Sequence, residues 1–204
     1  TVEDNDSAEV TFAIPEPTFT IGKTASNITF DGGSVYTVAF EITAANTSGV
    51  KIDKFNITED LGSVISPFLA AITVTELTAT FSAGGSGTTT LFKGFGTGQD
   101  ILIFDSDVEL AAGENVKVSF TATFTLTDVP NYPDATDGKF PFTNEVTGNA
   151  STIIGGTYEQ AATAPFTLLY NPVLTASKNV VTGSVQHTPD GKHAIDFAIV
   201  FKND

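Results

Sequence analysis

The sequence predicts an all-β protein, an antiparallel β-sandwich of jelly-roll type with an extended N-terminal donor strand. Apolar and polar residues alternate in many short runs, of which VKVSFTATFTL at 116–126 is the clearest. Glycine-containing turns separate these runs, and no long amphipathic helical pattern interrupts them. Valine and threonine fill the runs, as is typical of strands with one buried face.

An internal repeat organises the chain, because residues 17–46 resemble residues 172–203. Each copy begins with proline, carries an early lysine (Lys23 or Lys178), passes an Asp-Gly turn and ends in an alternating apolar run closed by asparagine. About 125 residues lie between the copies, which is a reasonable length for the rest of one sandwich. We therefore expect a single domain over 17–204 whose first and last segments descend from one duplicated unit.

Residues 1–16 precede that domain as an acidic N-terminal extension that contains one alternating strand. Its apolar positions are Val10, Phe12 and Ile14. Two prolines around Glu16 separate this strand from the domain. The strand either pairs within its own sheet or acts as a donor strand that completes a neighbour's sheet, with the three apolar residues as anchors.

Charge and composition exclude several classes of function. The net charge is −15, from 24 acidic residues against 9 lysines, so nucleic acid and anionic lipid are unsuitable partners. Cysteine is absent, which excludes thiol catalysis, Cys-zinc sites and iron–sulfur clusters. No apolar run is long enough to span a membrane. Because the chain starts at Thr1 without methionine, we expect a processed chain or a piece of a larger protein.

Clusters of acidic residues favour calcium as a cofactor. Calcium takes six to eight oxygen ligands, and alternating acids in loops supply them. No EF-hand loop is present, and the same acids would also serve simply to keep a β-rich protein soluble. The candidate metal ligands are Asp4, Asp6, Asp105, Asp107, Glu109, Asp134 and Asp137.

Four Asn-X-Ser/Thr sequons indicate a secreted protein at the cell surface that carries N-linked glycans. Some of them lie in or beside predicted strands, where they would not be used. The candidate glycosylation sites are Asn27, Asn46, Asn56 and Asn149.

Enzymatic motifs are missing, and we expect no catalytic activity. No serine stands in a GxSxG elbow, and no pair of carboxylates is distinguished for acid–base work. His187 and His193 flank the Asp-Gly turn of the second repeat, and we interpret them as solvent-exposed loop residues because no third nitrogen ligand accompanies them.

A covalent crosslink between side chains is a further possibility. In some surface β-domains a lysine of the first strand forms an isopeptide bond with an asparagine of the last strand, and a buried acid catalyses the reaction. The repeats place Lys23 and Lys178 early in their copies, and Asn144 or Asn203 would be the partner. The simpler interpretation is a lysine at a sheet edge.

The start TVEDNDSAEVTFAIPEPTFTIGKTASN, the acidic cysteine-free composition and the sequons resemble the cannula-forming glycoproteins of hyperthermophilic archaea. The repeat itself is similar to the β-sandwich repeat domains of prokaryotic surface proteins. The cannula resemblance implies subunits of extracellular tubes, joined by an exchanged strand with calcium-dependent assembly.

We therefore expect a self-assembling subunit of an extracellular filament or tube, with a second copy of itself as its partner. The alternative is a monomeric adhesin or carbohydrate-binding module, for which exposed tyrosines would line the site. The tyrosine candidates are Tyr132, Tyr158 and Tyr170, beyond Tyr36.

Overall fold

The structure is a computed structural model that describes residues 16–62, 69–82, 101–104, 106–127, 138–153, 155–169 and 174–203. Thirteen strands occur in these ranges: β1 (Phe19–Gly32), β2 (Val35–Asn46), β3 (Ile52–Glu59), β4 (Leu69–Phe81), β5 (Ile101–Leu102), β6 (Val108–Leu110), β7 (Asn115–Leu126), β8 (Lys139–Thr152), β9 (Gly155–Leu169), β10 (Leu174–Val180), β11 (Gln186–His187), β12 (His193–Ala194) and β13 (Phe197–Asn203). Over these same ranges, the protein contains no helix with the length and apolar character needed to cross a bilayer.

Two antiparallel sheets form the sandwich. The first has the strand order β1-β2-β7-β4, and the second has the order β5-β3-β8-β9 with β6 also paired to β3. Non-consecutive strands lie side by side in both sheets, so the chain crosses between the sheets rather than forming a simple meander. The prediction of an all-β antiparallel sandwich is confirmed.

The core lies between the inward faces of the two sheets and follows the period-two pattern of the sequence. In β2 and β7 the alternate residues are buried, and register pairs Phe40 with Phe120 and Ile42 with Val118 across the two strands. The rings of Phe40 and Phe120 stack with centroids 5.3 Å apart. Cross-strand aromatic and β-branched pairs of this kind stabilise the sheet in addition to burying area.

Gly148 lets the two sheets approach closely near the first strand. It stands in the inward row of β8, and a Cβ built there would lie 2.8 Å from the ring of Phe19 and 3.2 Å from the side chain of Ile21. A larger residue at this position would force the Phe19 ring or β1 to move. The glycine therefore serves packing between the sheets rather than a turn.

The second copy of the repeat forms a hairpin with the register of the first. Lys23 lies opposite Ile42 in the β1–β2 pair, and Lys178 lies opposite Ile199 in the β10–β13 pair. The predicted repeat is thus visible as equivalent backbone pairing. β10 and β13 make a two-stranded sheet of their own, and β11 and β12 make another. That 17–204 folds as one domain stays a prediction.

Candidate crosslink site

Three polar residues occupy inward positions where the alternation calls for apolar ones. Lys23 follows two inward residues of β1, Glu59 ends the inward row of β3, and Asn144 interrupts the inward row of β8. All three side chains are buried. Ionisable side chains are rarely buried unless they are paired, so their placement requires a specific contact.

The carboxyl group of Glu59 provides that contact for both other residues. Lys23 Nζ donates to Oε2 of Glu59, and Asn144 Nδ2 donates to Oε1 at 2.9 Å. Glu59 and Asn144 meet because β3 pairs with β8 and Glu59 lies opposite Val146, which makes Asn144 its diagonal neighbour on the same face. Lys23 reaches them from the opposite sheet.

The ring of Phe40 lies beside the lysine end of this triad and belongs to a cluster of phenylalanines. Lys23 Nζ lies 5.2 Å from the centroid of the Phe40 ring. Phe40 in turn packs edge-on against Phe166 at 5.5 Å, and Phe166 stacks on Phe142 at 5.5 Å. The triad therefore lies in an apolar environment, where uncompensated charge is strongly disfavoured.

Burial drives both ionisable groups towards their neutral forms. Burial lowers the pKa of the Lys23 amine, although the neighbouring Glu59 acts in the opposite direction. Burial likewise raises the pKa of the Glu59 carboxyl, against the opposing influence of Lys23 and the hydrogen bond from Asn144. A proton held on the acid and an uncharged amine is the arrangement that both directions favour.

The carboxamide of Asn144 has an unused acceptor. Among the described residues, its buried Oδ1 receives no hydrogen bond. The nitrogen and oxygen of an amide are assigned from the hydrogen bonds around them, and a protonated Glu59 would donate to Oδ1 equally well after rotation of the amide. Such a donor would withdraw electrons from the carbonyl carbon. An amine, a carboxyl group and a carboxamide thus share one buried site, where burial lowers the pKa of the amine and raises that of the carboxyl group.

Two of these three residues are predicted from the sequence. Lys23 and Asn144 were candidates for a crosslink, and the structure brings both to one carboxyl group. Glu59 was missed, although a signal was present: the run FNITE places an acid at the third inward position after Phe55 and Ile57.

The second candidate lysine has a different environment. Lys178 is exposed, and its Nζ lies 4.0 Å from the centroid of the Phe197 ring. This contact is equivalent to that of Lys23 with Phe40 by the register of the two hairpins. Among the described residues, no acid lies within ion-pair distance of Lys178.

The structure does not assemble the predicted calcium ligands within its described part. Asp4, Asp6, Asp105, Asp134 and Asp137 lie outside the described residues, as do the donor-strand residues Val10, Phe12 and Ile14. Asp107 accepts a hydrogen bond from Asn56 Nδ2 at 3.4 Å, and Glu109 pairs with Lys51 Nζ at 3.0 Å. In the described ranges, no group of three or more candidate ligands occurs. A calcium site stays a prediction.

Two of the four sequons are not accessible in the folded chain. Asn46 is buried, and its Nδ2 donates to the carbonyl oxygens of Val50, Leu110 and Ala111 at 2.8–3.0 Å. Asn56 is also buried, with its Nδ2 directed to the carbonyl oxygen of Phe104. A glycan on either nitrogen would not fit in these interiors.

The other two sequons are more exposed, although Asn149 Nδ2 donates to the hydroxyl of Thr58 at 3.3 Å. Asn27 is exposed, and Asn149 is half-buried. Glycosylation of the folded chain is therefore physically compatible with Asn27 and Asn149 and not with the two buried sites.

The candidate histidines are exposed, whereas the described candidate tyrosines are fully or partly buried. His187 and His193 are exposed, as interpreted, and lie opposite each other in the β11–β12 pair with their Nδ1 atoms 3.3 Å apart. Tyr36 is buried in the core, and Tyr158 packs against the core cluster. Tyr132 and Tyr170 lie outside the described residues. Neither described tyrosine offers a broad exposed ring for sugar binding.

No protein-family model and no curated protein matches this chain. Among solved structures, 83% of the chain is similar to part of an exo-β-N-acetylglucosaminidase of Vibrio harveyi, at 13% identity and a TM-score of 0.34. The chain spans only 21% of that enzyme.

Two further solved structures are similar in fold. The collagen-binding subdomain of the Enterococcus faecalis surface protein ACE matches over 75% of this chain and 98% of its own, at 11% identity and a TM-score of 0.31. Self-complemented MyfA, the major subunit of Myf fimbriae from Yersinia enterocolitica, matches over 72% of this chain and 97% of its own, at 13% identity and a TM-score of 0.28. Identities and scores this low say nothing about what this chain binds.

Proposed function

We propose that this protein is a structural subunit that polymerises outside the cell by strand donation. The observation that carries the proposal is the uncovered apolar face of the β10–β13 hairpin. Ile42 and Phe40 of the first hairpin are 0% and 2% exposed, whereas the equivalent Ile199 and Phe197 of the second are 57% and 49% exposed. A contiguous apolar strand face of this kind marks an interaction surface.

The partner of this surface is the N-terminal extension of a second copy. In the first hairpin, the outer edge of β2 is paired with β7, which adds the alternating apolar residues of the next strand. In the second hairpin, the equivalent edge belongs to β13, which among the described residues pairs only with β10. Val10, Phe12 and Ile14 alternate as β7 does, so a donated extension would supply the missing neighbour.

The charges of the two segments also favour pairing of the N-terminal extension with the β10–β13 hairpin of a second copy. Residues 174–203 carry three of the nine lysines and only two acids, although the chain as a whole has a net charge of −15. Residues 1–16 carry five acids and no lysine. The acidic extension is therefore attracted to a segment of its neighbour that is not acidic.

A donor at one end and an acceptor at the other make a heterologous joint. Such joints repeat from copy to copy and give filaments or tubes rather than closed dimers. Calcium would support assembly by reducing the repulsion between acidic subunits, and glycans at Asn27 or Asn149 would be consistent with an extracellular surface. A strand used as a joint also removes an edge that would otherwise aggregate.

Two variants with complementary defects test this proposal. Light scattering and negative-stain microscopy, with and without millimolar calcium, would follow the intact chain, a chain lacking residues 1–14, and Ile199→Asp. We expect the intact chain to polymerise and each variant alone to stay monomeric. A mixture of the two should form one-to-one dimers, because one variant retains the acceptor and the other retains the donor.

Ile153→Asp is the matched control, since Ile153 is an exposed apolar residue outside the hairpin. It should polymerise as the intact chain does. An intact chain that stays monomeric with calcium would overturn the proposal and favour the monomeric adhesin. Polymerisation of the truncated chain would exclude residues 10–14 as the donor.

A further inference from the structure

We propose that Lys23 and Asn144 become joined by an intramolecular isopeptide bond, and that Glu59 is the catalytic residue that forms it. The proposal concerns the interior of one subunit and is independent of assembly. It rests first on geometry, because the amine and the carboxamide occupy the two oxygens of one buried carboxyl group.

A purely structural ion pair explains the site less well. An ion pair between Lys23 and Glu59 would leave two desolvated charges in an apolar core, and pairing seldom repays that cost fully. It would also leave the carbonyl oxygen of the buried Asn144 without a hydrogen bond among the described residues. A buried asparagine at a core position is explained if its carbonyl carbon is a reaction partner.

The reaction is a transamidation that needs no added reagent. The uncharged Nζ of Lys23 attacks Cγ of Asn144, while protonated Glu59 donates a hydrogen bond to the carbonyl oxygen and so stabilises the negative charge that develops there. Glu59 then carries a proton from Nζ to Nδ2. The bond between Cγ and Nδ2 breaks, the bond between Nζ and Cγ remains, and one ammonia leaves. No oxidation or reduction occurs.

The fold supplies the conditions for this step. Burial favours the nucleophilic, unprotonated form of the Lys23 amine and the proton-donating form of Glu59. The ring of Phe40 lies beside Nζ and limits access of water that would compete as nucleophile. Because the three residues come from different strands, the reaction can begin only after both sheets have packed.

The mass of the intact protein tests the proposal directly. The mass of the purified, denatured chain, measured by intact-mass spectrometry, should be one ammonia lower than the mass calculated from its sequence. Tandem mass spectrometry after proteolysis should identify a branched peptide in which the peptide containing Lys23 is joined to the one containing Asn144. This second measurement separates the crosslink from ammonia lost by succinimide formation at another asparagine.

Three variants assign the roles. Glu59→Gln and Asn144→Ala should have the full mass of their sequences, whereas Lys178→Met should still lack one ammonia. A folded wild-type chain with its full sequence mass would overturn the proposal, and so would a branched peptide joining other residues. A crosslinked Glu59→Gln chain would overturn the role of Glu59. The wild-type result does not depend on whether any variant folds.

Discussion

Lys23 and Glu59 belong to opposite sheets of the sandwich, and their side chains meet in its core with the amine directed at one carboxyl oxygen. Among the ion pairs of the described residues, this contact alone has both side chains fully buried. The two inward positions before Lys23 on β1, and the two before Glu59 on β3, hold phenylalanine and isoleucine. The contact therefore determines both the chemistry of the site and the response of the fold to pH.

The proposed crosslink should raise stability substantially. It closes a loop of roughly 120 residues, which in the loop-entropy treatment stabilises a fold by about 4–5 kcal/mol. Glu59→Gln should therefore lower the melting temperature by roughly 10–20 °C, as measured by circular dichroism. Lys178→Met is the control and should change the unfolding free energy by less than about 0.5 kcal/mol. Equal melting temperatures for wild type and Glu59→Gln would contradict the prediction.

Without the crosslink, the pH dependence of the unfolding free energy should show that Glu59 is buried. In Lys23→Met the crosslink cannot form and the opposing influence of the Lys23 amine is removed, so burial raises the pKa of Glu59 above its ordinary 4.5. The folded state then retains a proton that the unfolded state has lost, so the contribution of Glu59 to stability is complete below pH 4.5 and is lost as pH rises.

Denaturant titrations of Lys23→Met and of Lys23→Met combined with Glu59→Gln would measure this contribution. The difference between their unfolding free energies should change by up to about 1.4 kcal/mol per pH unit above pH 4.5, to the disadvantage of the variant that keeps Glu59. A difference that does not vary from pH 4 to pH 7 would show that the acid is not buried in this way.

Gly148→Ala should destabilise the sandwich through steric overlap alone. The added Cβ would meet the ring of Phe19 at 2.8 Å, so β1 or the ring has to move, at a cost of about 1–3 kcal/mol. Gly49→Ala is the matched control, because nothing lies within 4 Å of a Cβ built there. Chemical denaturation of both variants gives the comparison. Similar losses for the two would refute close approach of the sheets at Gly148.

Asn46→Ala should loosen the end of the first hairpin. Asn46 Nδ2 donates to three carbonyl oxygens, and its Oδ1 accepts from the backbone N–H and the hydroxyl of Ser48. Removing the side chain leaves the carbonyl oxygen of Leu110 without this buried hydrogen bond and removes further part-buried bonds to Ala111 and Ser48, at a cost of about 1–3 kcal/mol.

Thr47→Ala is the control for that substitution, since its hydroxyl is engaged in one exposed hydrogen bond with Thr18. Hydrogen exchange should show faster opening around Val50 and Ala111 in Asn46→Ala and not in Thr47→Ala. Unchanged exchange in both variants would mean that Asn46 does not hold these loops together.

Much of the fold follows from the alternation of side chains. The run at 116–126 became β7 with the expected inward residues, because burial of one face of a strand imposes a period of two on the sequence. The equivalence of the two repeats was also readable, and the structure shows it as identical register at Lys23 and Lys178. The alternation and the repeat are local patterns that can be read from the residues of each segment.

The composition of the site depended on more than local pattern. Lys23 and Asn144 were two of several candidate residues for a crosslink, and Asn203 and Lys178 were equally eligible by pattern. The pairing of β3 with β8 selected Asn144 and introduced Glu59, and the packing of one sheet on the other brought Lys23 to them. No local pattern encodes which strands become neighbours.

The sequence by itself therefore determined the class of fold, the repeat and the residues that face inward, because each depends on periodicity within a single strand. Only the tertiary structure decided that a lysine, a glutamate and an asparagine from three strands share one buried site. It also decided that the apolar face of the β1–β2 hairpin is buried, whereas that of the β10–β13 hairpin is exposed. Both depend on which surfaces pack together, and that is a property of the whole chain rather than of any segment in it.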